Sequence, residues 1–194
     1  MSSLRRAAVY CGAHIGDDAR FVEAAQALGR LLASRGIAVV YGGGNIGLMG
    51  ALADATLEAG GEVIGVIPEA LLCYEVAHEG LTERIEVDGM HARKATMAWL
   101  SDAFIALPGG FGTLDELFEA TTWTQLGYHQ KPVGLLNVAG YYDGLIAFLD
   151  HASSHGFITA EHREIVVARD TPQALVEVLE GSLVPRFAPH IDRP

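Results

Sequence analysis

The chain has 194 residues, enough for one sizeable α/β domain and too few for two comfortable ones. Its net charge of −11 argues against a surface for duplex nucleic acid, because a phosphate backbone requires clustered Lys and Arg. No apolar run approaches the roughly 18–20 residues that span a bilayer, and the first residues lack the apolar core of a signal peptide. We therefore expect a cytoplasmic protein that binds neither nucleic acid nor membrane.

Short apolar runs alternate along the chain with amphipathic segments of helical length. The runs predict strands at residues 7–11, 38–41, 62–67, 104–107, 132–136 and 165–168. The segments between and after them predict helices near residues 19–34, 48–59, 90–99, 114–126, 141–155 and 172–180. In the first helix, Phe21, Ala24, Ala25 and Leu28 recur in steps of three and four, which places them on one face.

Strand–helix alternation throughout predicts right-handed βαβ units and a mostly parallel sheet. We expect one Rossmann-like, doubly wound α/β domain over residues 1–183, with helices on both faces of the sheet. Its ligand should bind at the carboxyl ends of the strands. Residues 184–194 contain three prolines and no periodicity, so we expect an irregular C-terminal tail that hangs loose or packs on a neighbour.

Three glycine-rich turns each follow a predicted strand. They are Cys-Gly-Ala-His-Ile-Gly at residues 11–16, Gly-Gly-Gly-Asn-Ile-Gly at 42–47 and Pro-Gly-Gly-Phe-Gly-Thr at 108–113. Glycine leaves room for a ligand to approach the backbone, and the amides at the start of a following helix suit a phosphate. Glycine is common in ordinary α/β turns, but three such turns at one sheet edge favour a binding site. The candidate glycines are Gly12, Gly42, Gly43, Gly44, Gly47, Gly109, Gly110 and Gly112.

The second turn also matches G-x-G-x-x-G through Gly42, Gly44 and Gly47. This pattern allows an alternative hypothesis, a dinucleotide-dependent oxidoreductase. The dinucleotide version opens the first βα turn and has an acidic residue at the end of the next strand. Here the match follows the second strand, and Ile67 and Pro68 close the third. The dinucleotide hypothesis is therefore the weaker one.

The third turn leads into a segment that carries Thr113 and Glu116. Their spacing fits a capping box, in which each side chain caps the other's amide. The same position would hold the Glu116 carboxylate beside an anion bound by the turn, where it could stabilise positive charge on a sugar. Asp115 would point about 100° away around the helix, so it cannot share that task.

A second cluster reads Met-His-Ala-Arg-Lys at residues 90–94. Two adjacent cations near a helix start are unexpected in an acidic chain, because the helix dipole disfavours positive charge there. Arg93 and Lys94 could bind an anionic ligand or pair with Glu116. Alternatively, they could form a solvated turn paired with Glu83 or Glu86. The two cysteines, Cys11 and Cys73, cannot build a disulfide framework or a four-thiolate site. We expect no metal and no cofactor.

These two motifs together resemble the Lonely Guy family, the cytokinin riboside 5′-monophosphate phosphoribohydrolases. Pro-Gly-Gly-Phe-Gly-Thr-Leu-Asp-Glu begins fifteen residues after Arg93, which is the family spacing. The similarity runs from about residue 8 to residue 158. It also includes Tyr-Gly-Gly-Gly at 41–44, Gly-Leu-Met-Gly at 47–50, Val-Ile-Pro at 66–68, Thr-Trp at 122–123 and Lys-Pro-Val-Gly-Leu-Leu-Asn at 131–137.

The resemblance implies hydrolysis of the N-glycosidic bond of an N6-substituted adenosine 5′-monophosphate, which releases the base and ribose 5-phosphate. It implies that Arg93 and Glu116 are catalytic, and that the enzyme is a homodimer. It further implies substrate contacts from Glu75, Met90, Lys94, Gly109, Gly110, Phe111, Gly112, Thr113 and Thr122.

One departure concerns the first turn, which commonly reads Cys-Gly-Ser-Ser in the family and here reads Cys11-Gly12-Ala13-His14. Contacts from that turn, and with them the substrate preference, are open. The alternatives are a general AMP nucleosidase and a non-catalytic carrier of a nucleotide or molybdopterin. A carrier would not need Arg93 and Glu116 at one site.

Overall fold

Seven parallel strands form one sheet in the order β4-β3-β2-β1-β5-β6-β7. The computed structural model describes residues 4–72, 77–182 and 184–187. The strands are β1 (Arg6–Tyr10), β2 (Ala38–Tyr41), β3 (Val63–Pro68), β4 (Glu83–Val87), β5 (Ala103–Ala106), β6 (Val133–Leu136) and β7 (Val166–Arg169).

The helices connect these strands on both sides of the sheet. They are α1 (Ala19–Ser34), α2 (Gly47–Glu58), α3 (Met90–Leu100), α4 (Phe111–Gln125), α5 (Asp143–Ser154), α6 (Ala160–Arg163) and α7 (Pro172–Gly181). Short 3-10 turns lie at Glu69–Leu71 and Val138–Gly140. Of the helices in the described ranges, none is both long and apolar enough to cross a membrane.

Two apolar cores fill the space between the sheet and its helices. One joins alternate strand residues such as Ala7 and Val9 to α1, α2 and α7. The other joins the intervening residues, such as Ala8 and Tyr10, to α3 and α4. The central strands β1, β2, β3, β5 and β6 are buried almost throughout because both of their faces are covered. The predicted fold class is confirmed, and every strand pair in the sheet is parallel.

The chain winds outward from β1 in both directions. β2, β3 and β4 extend the sheet on one side, and β5, β6 and β7 extend it on the other. The strand order therefore reverses between β1 and β5. Crevices at such a point, outside the carboxyl ends of the strands, are where open α/β sheets bind ligands.

One strand was not predicted, and the described part of the tail is packed. β4 was missed; among the described strands it pairs with β3 alone, and it reads Glu-Arg-Ile-Glu-Val with mostly exposed side chains. An edge strand of this kind lacks the apolar run that marks a buried strand. The tail is irregular over residues 184–187 as predicted, but it does not hang loose there: Phe187 is buried and its ring lies 4.7 Å from that of His162.

Candidate active site

The first and third glycine-rich turns and the start of α2 meet at the carboxyl edge of the sheet. β1 lies between β2 and β5, so the turns that follow these three strands are neighbours. The Gly12 amide donates to the Pro108 carbonyl over 3.0 Å, and the Leu48 amide donates to the Gly12 carbonyl over 3.0 Å. Gly12, in the turn after β1, therefore links the start of α2 to the turn after β5 by hydrogen bonds.

Two glycines are required by close approaches at this junction. Gly47 has a φ of +61°, and a Cβ there would lie 2.3 Å from the carbonyl carbon of Ala13. A Cβ on Gly109 would lie 2.1 Å from Oγ1 of Thr113. Larger residues at either position would force the turns apart, so glycine here serves packing as well as ligand approach.

A cavity of about 450 Å³ opens between these turns, within the usual size range of small-molecule sites. The first turn supplies six of its lining residues, and the turn after β5 supplies five. The full set is Cys11, Gly12, Ala13, His14, Ile15, Gly16, Phe21, Leu48, Met49, Leu71, Met90, Arg93, Pro108, Gly109, Gly110, Gly112, Thr113, Glu116 and Tyr141.

The predicted glycines of the second turn do not form the cavity wall, and their contact with a ligand stays a prediction. Gly42, Gly43, Gly44 and Gly47 are not among the described residues that line the cavity. A Cβ on Gly42 would lie 1.7 Å from a terminal nitrogen of Arg93, so the bare Cα leaves space for that guanidinium. The G-x-G-x-x-G match therefore supports packing, and the dinucleotide hypothesis gains nothing from it.

Arg93 and Glu116 face each other inside the cavity. Arg93 lies in the first turn of α3, Glu116 lies in α4, and their side chains are 7% and 10% exposed. Nε of Arg93 is 4.0 Å from Oε1 of Glu116. A carrier would not need this pair at one site, so its presence favours the hydrolase hypothesis. The catalytic roles of the two residues stay predictions.

The start of α4 corrects one interpretation of the sequence. The helix begins at Phe111, three residues earlier than predicted, and its N-cap is Gly110 without a side-chain cap. Thr113 and Glu116 are therefore both inside the helix, and the capping box is wrong. Because the first amides of a helix lack intrahelical partners, the residues at this start, which line the cavity at Gly110, Gly112 and Thr113, suit an anion.

Lys94 lies outside the cavity lining, and its contact with the phosphate stays a prediction. Its Nζ is 2.9 Å from Oδ2 of Asp115 and 3.2 Å from Oε1 of Glu119. Burial acts to lower the pKa of Lys94, but the hydrogen bonds to the two carboxylates outweigh it, and the pKa is raised. Lys94 is therefore a cation already balanced by α4. Asp115 points away from Glu116, as the helical spacing predicted.

The other predicted contacts divide into three groups. Met90 lines the cavity beside Arg93. Phe111 and Thr122 lie on α4 outside the lining: Phe111 is 93% exposed, and the Thr122 hydroxyl donates to the Phe118 carbonyl. Glu75 lies outside the described residues. Its contact with the nucleotide stays a prediction.

Sequence reasoning missed Tyr141 and the setting of Cys11. The Tyr141 hydroxyl donates to the Gly109 carbonyl over 2.6 Å, which braces the turn after β5. Its position just after β6 places it at the same sheet edge as the glycine turns, which was the available signal. Burial, and next the charge of Glu116, raise the pKa of the Cys11 thiol, so this cysteine stays a neutral wall of the cavity.

The described residues contain no group of three or more His, Cys, Asp or Glu side chains that could hold a metal ion. The polar chemistry of the cavity comes from Arg93, Glu116, Thr113, His14 and backbone amides. This set combines a carboxylate, a guanidinium and an anion cradle.

Known proteins similar to this chain fall into two groups. Residues 49–179 match a family described as possible lysine decarboxylase. The cytokinin riboside 5′-monophosphate phosphoribohydrolase LOG of Oryza sativa subsp. japonica is 52% identical over 186 residues, covering 96% of this chain and 76% of that protein. The corresponding enzyme LOG3 of Arabidopsis thaliana is 52% identical over 179 residues, covering 92% and 83%.

Among solved structures, the molybdenum cofactor binding protein of Rippkaea orientalis matches with a TM-score of 0.69 and 24% identity, covering 93% of this chain and 98% of that one. The molybdenum cofactor carrier protein of Chlamydomonas reinhardtii matches with a TM-score of 0.69 and 22% identity, covering 92% and 99%. At this identity the two structures share the fold with this chain, and their ligands carry no argument about its function.

Proposed function

Since the chain belongs to the Lonely Guy family of cytokinin riboside 5′-monophosphate phosphoribohydrolases, we propose that it hydrolyses the N-glycosidic bond of an N6-substituted adenosine 5′-monophosphate. The products are the free base and ribose 5-phosphate. The observation that carries the proposal is the buried Arg93–Glu116 pair, held in one cavity beside the anion-binding start of α4.

The phosphate binds at the turn after β5, against the amides that begin α4. This anchor holds the ribose over Glu116. As the C1′–N9 bond breaks, the base leaves with the bonding electrons, and the sugar becomes an oxocarbenium-like cation. The Glu116 carboxylate stabilises that positive charge and orients a water molecule. The water oxygen bonds to C1′, and one water proton ends on the base.

Arg93 acts as an orienting cation in this scheme. A guanidinium does not lose its proton at working pH, so Arg93 is not a general base. Its planar fork holds the Glu116 carboxylate in register and can reach ribose or phosphate oxygens. A side chain at position 42 would collide with the guanidinium, which explains the glycine there.

The description of the matched family as a lysine decarboxylase does not suit these residues. Such an enzyme normally holds pyridoxal phosphate on a lysine. The chain has two lysines, Lys94 and Lys131. Lys94 is bonded to Asp115 and Glu119, and Nζ of Lys131 donates to the Ala98 carbonyl over 2.6 Å. Neither lysine lines the cavity.

Both AMP and its N6-prenylated form should be substrates, with the prenylated nucleotide preferred in kcat/KM. The support is an apolar part of the cavity wall formed by Leu71, Met90, Phe21 and Ile15. Each methylene placed in such a slot contributes about 1–3 kcal/mol to discrimination, so a five-carbon tail can produce a strong preference.

The test is a product assay on the two nucleotides side by side. We expect base and ribose 5-phosphate in equal amounts from each, and a higher kcat/KM for N6-isopentenyladenosine 5′-monophosphate. Release of inorganic phosphate and a nucleoside would identify a phosphatase and overturn the proposal. A preference for AMP would instead indicate a general nucleotide nucleosidase.

The enzyme is further proposed to act as a homodimer through the outer surface of α3 and α4. Large apolar side chains are exposed on these helices at Trp99 (82%), Phe111 (93%) and Phe118 (40%). Aromatic side chains are enriched in protein interfaces, which supports this surface. Sedimentation should give twice the mass of the chain, and Trp99→Asp should shift the protein toward monomer. A monomeric wild type would refute this part.

A further inference from the structure

The first turn places a histidine, His14, at the cavity wall. Neighbouring elements pack closely against the backbone of this residue. A Cβ on Gly47 would lie 2.5 Å from the His14 amide nitrogen, so the start of α2 presses directly on this residue. Two residues earlier, Gly12 is bonded to the Pro108 carbonyl. The backbone of His14 is therefore packed at the edge of the cavity, and its exposed side chain belongs to the cavity lining.

The side chains that line the cavity offer little net positive charge to a phosphate. The group carries close to two negative charges near neutral pH. The buried Arg93 is paired with Glu116, and the two charges largely offset each other. Lys94 is committed to Asp115 and Glu119 outside the lining. Among the described lining residues, the basic side chains are Arg93 and His14.

We propose that His14 is the second cation of the site and binds the 5′-phosphate of the substrate and of the ribose 5-phosphate product. This inference rests on the proposed function. A protonated imidazole donates from both ring nitrogens, and its bonds to a phosphate oxygen are charge-assisted and strong. Histidine side chains ordinarily change charge between pH 5 and pH 8, so binding measurements on either side of neutrality test for a cationic contact.

Several other charged or titratable groups share these surroundings. Glu116 and Arg93 face the cavity from α4 and α3, and Asp18, which follows on the same segment as His14, is paired with Arg20. The remaining groups are Asp17 on that segment, and Cys11 and Tyr141 in the wall. α2 presents no ionisable side chain to the cavity among its lining residues, Leu48 and Met49.

Calorimetric titration with ribose 5-phosphate at pH 6 and pH 8 tests this role. The variants are His14→Gln, which cannot be charged, and His14→Arg, which is always charged. His91→Gln is the matched control, because His91 is an exposed histidine on α3 outside the cavity lining. Since the phosphate itself titrates near pH 6, each variant is compared with wild type at the same pH.

His14→Gln should raise the Kd roughly tenfold at pH 6 and much less at pH 8, on the scale of one lost charge-assisted bond. His14→Arg should bind at pH 8 at least as tightly as wild type. In turnover assays at pH 6, His14→Gln should raise KM about tenfold and lower kcat by a smaller factor, because the amides at the start of α4 still anchor the phosphate and position the ribose.

Unchanged affinity of His14→Gln at pH 6, with wild type binding ribose 5-phosphate, would overturn the role of His14 and leave the proposed function standing. An equal loss in His91→Gln would also overturn it, because the effect would then be general electrostatics. Failure of wild type to bind ribose 5-phosphate at either pH would instead count against the proposed function, and the inference about His14 would fall with it.

Discussion

Two adjacent carboxylates of α4 have separate surroundings. Glu116 is nearly buried beside Arg93 in the cavity, whereas the Asp115 side chain is 59% exposed and binds Lys94. Successive helical residues point about 100° apart, which is enough to place one inside the site and the other outside it. The pair offers a matched comparison in which one charge at a time is removed from the same helix.

Glu116→Gln should lower kcat by at least about a hundredfold, because the amide keeps the shape of the side chain and loses the charge that stabilises the sugar cation. Steady-state release of base measures this. Asp115→Asn is the control and should keep near-normal turnover, since Lys94 retains Glu119. Near-normal activity of Glu116→Gln would reduce Glu116 to a structural partner of Arg93.

Arg93→Lys should also lose most of its kcat/KM, although the charge is kept. A lysine ammonium is a point charge and cannot reproduce the two-pronged contact of a guanidinium. The control is Arg84→Lys on β4, where Arg84 forms a surface ion pair with Glu86 at 2.9 Å. If Arg93→Lys kept most of its activity, general electrostatics would be the better description of Arg93.

At the scale of elements, the boundaries that define the site were the least predictable. The span of α1 follows from its apolar spacing and was predicted as observed, Ala19–Ser34. The start of α4 was placed too late, because Phe111, Gly112 and Thr113 look like loop residues in the sequence. The first helical hydrogen bond, from the Leu114 amide to the Gly110 carbonyl over 3.1 Å, shows that the helix begins there.

The connection between α4 and β6 packs around His129, which is sensitive to pH. Its ring lies 5.1 Å from that of Phe104, and its Nδ1 accepts a long hydrogen bond of 3.5 Å from the Lys131 amide. Burial, and next the charge of Lys131, lower the pKa of His129 from 6.5 to about 4. The unfolded chain therefore binds this proton at a higher pH than the folded protein does.

Acidification from about pH 6.5 toward pH 4 should then favour unfolding, and above that window His129 should add no pH dependence. Wild type should lose about 2–4 °C more in Tm between pH 7 and pH 5 than His129→Gln loses. Thermal melts by circular dichroism at the two pH values give the comparison. Equal losses in the two proteins would show that His129 is not a source of acid sensitivity.

At the scale of the whole molecule, the sequence predicted the architecture and the location of the site. Strand–helix alternation indicated a doubly wound sheet, and the glycine turns indicated its carboxyl edge. Which turn would touch a ligand was not predictable, because that depends on the strand order and on the approach of side chains. Gly42 accommodates Arg93, and the turn that holds Gly12 and His14 lines the cavity.

The sequence also did not predict that the two neighbouring cations have different partners. Arg93 and Lys94 are adjacent on α3, and both were assigned to the site. In the fold, Glu116 of α4 lies beside Arg93, while Asp115 and Glu119 of α4 contact Lys94. Pairings between helices distant in sequence are set by tertiary packing, which the local pattern of one helix does not contain.

The central claim is that the cavity holds a nucleotide by its 5′-phosphate and cleaves the glycosidic bond beside it. The most direct measurement compares kcat/KM for base release from N6-isopentenyladenosine 5′-monophosphate and from the nucleoside that lacks the phosphate. Binding energy at the phosphate positions the ribose against Glu116, so the nucleoside should lose kcat as well as affinity, with kcat/KM lower by at least about a hundredfold. Equal values for the two compounds would contradict the account.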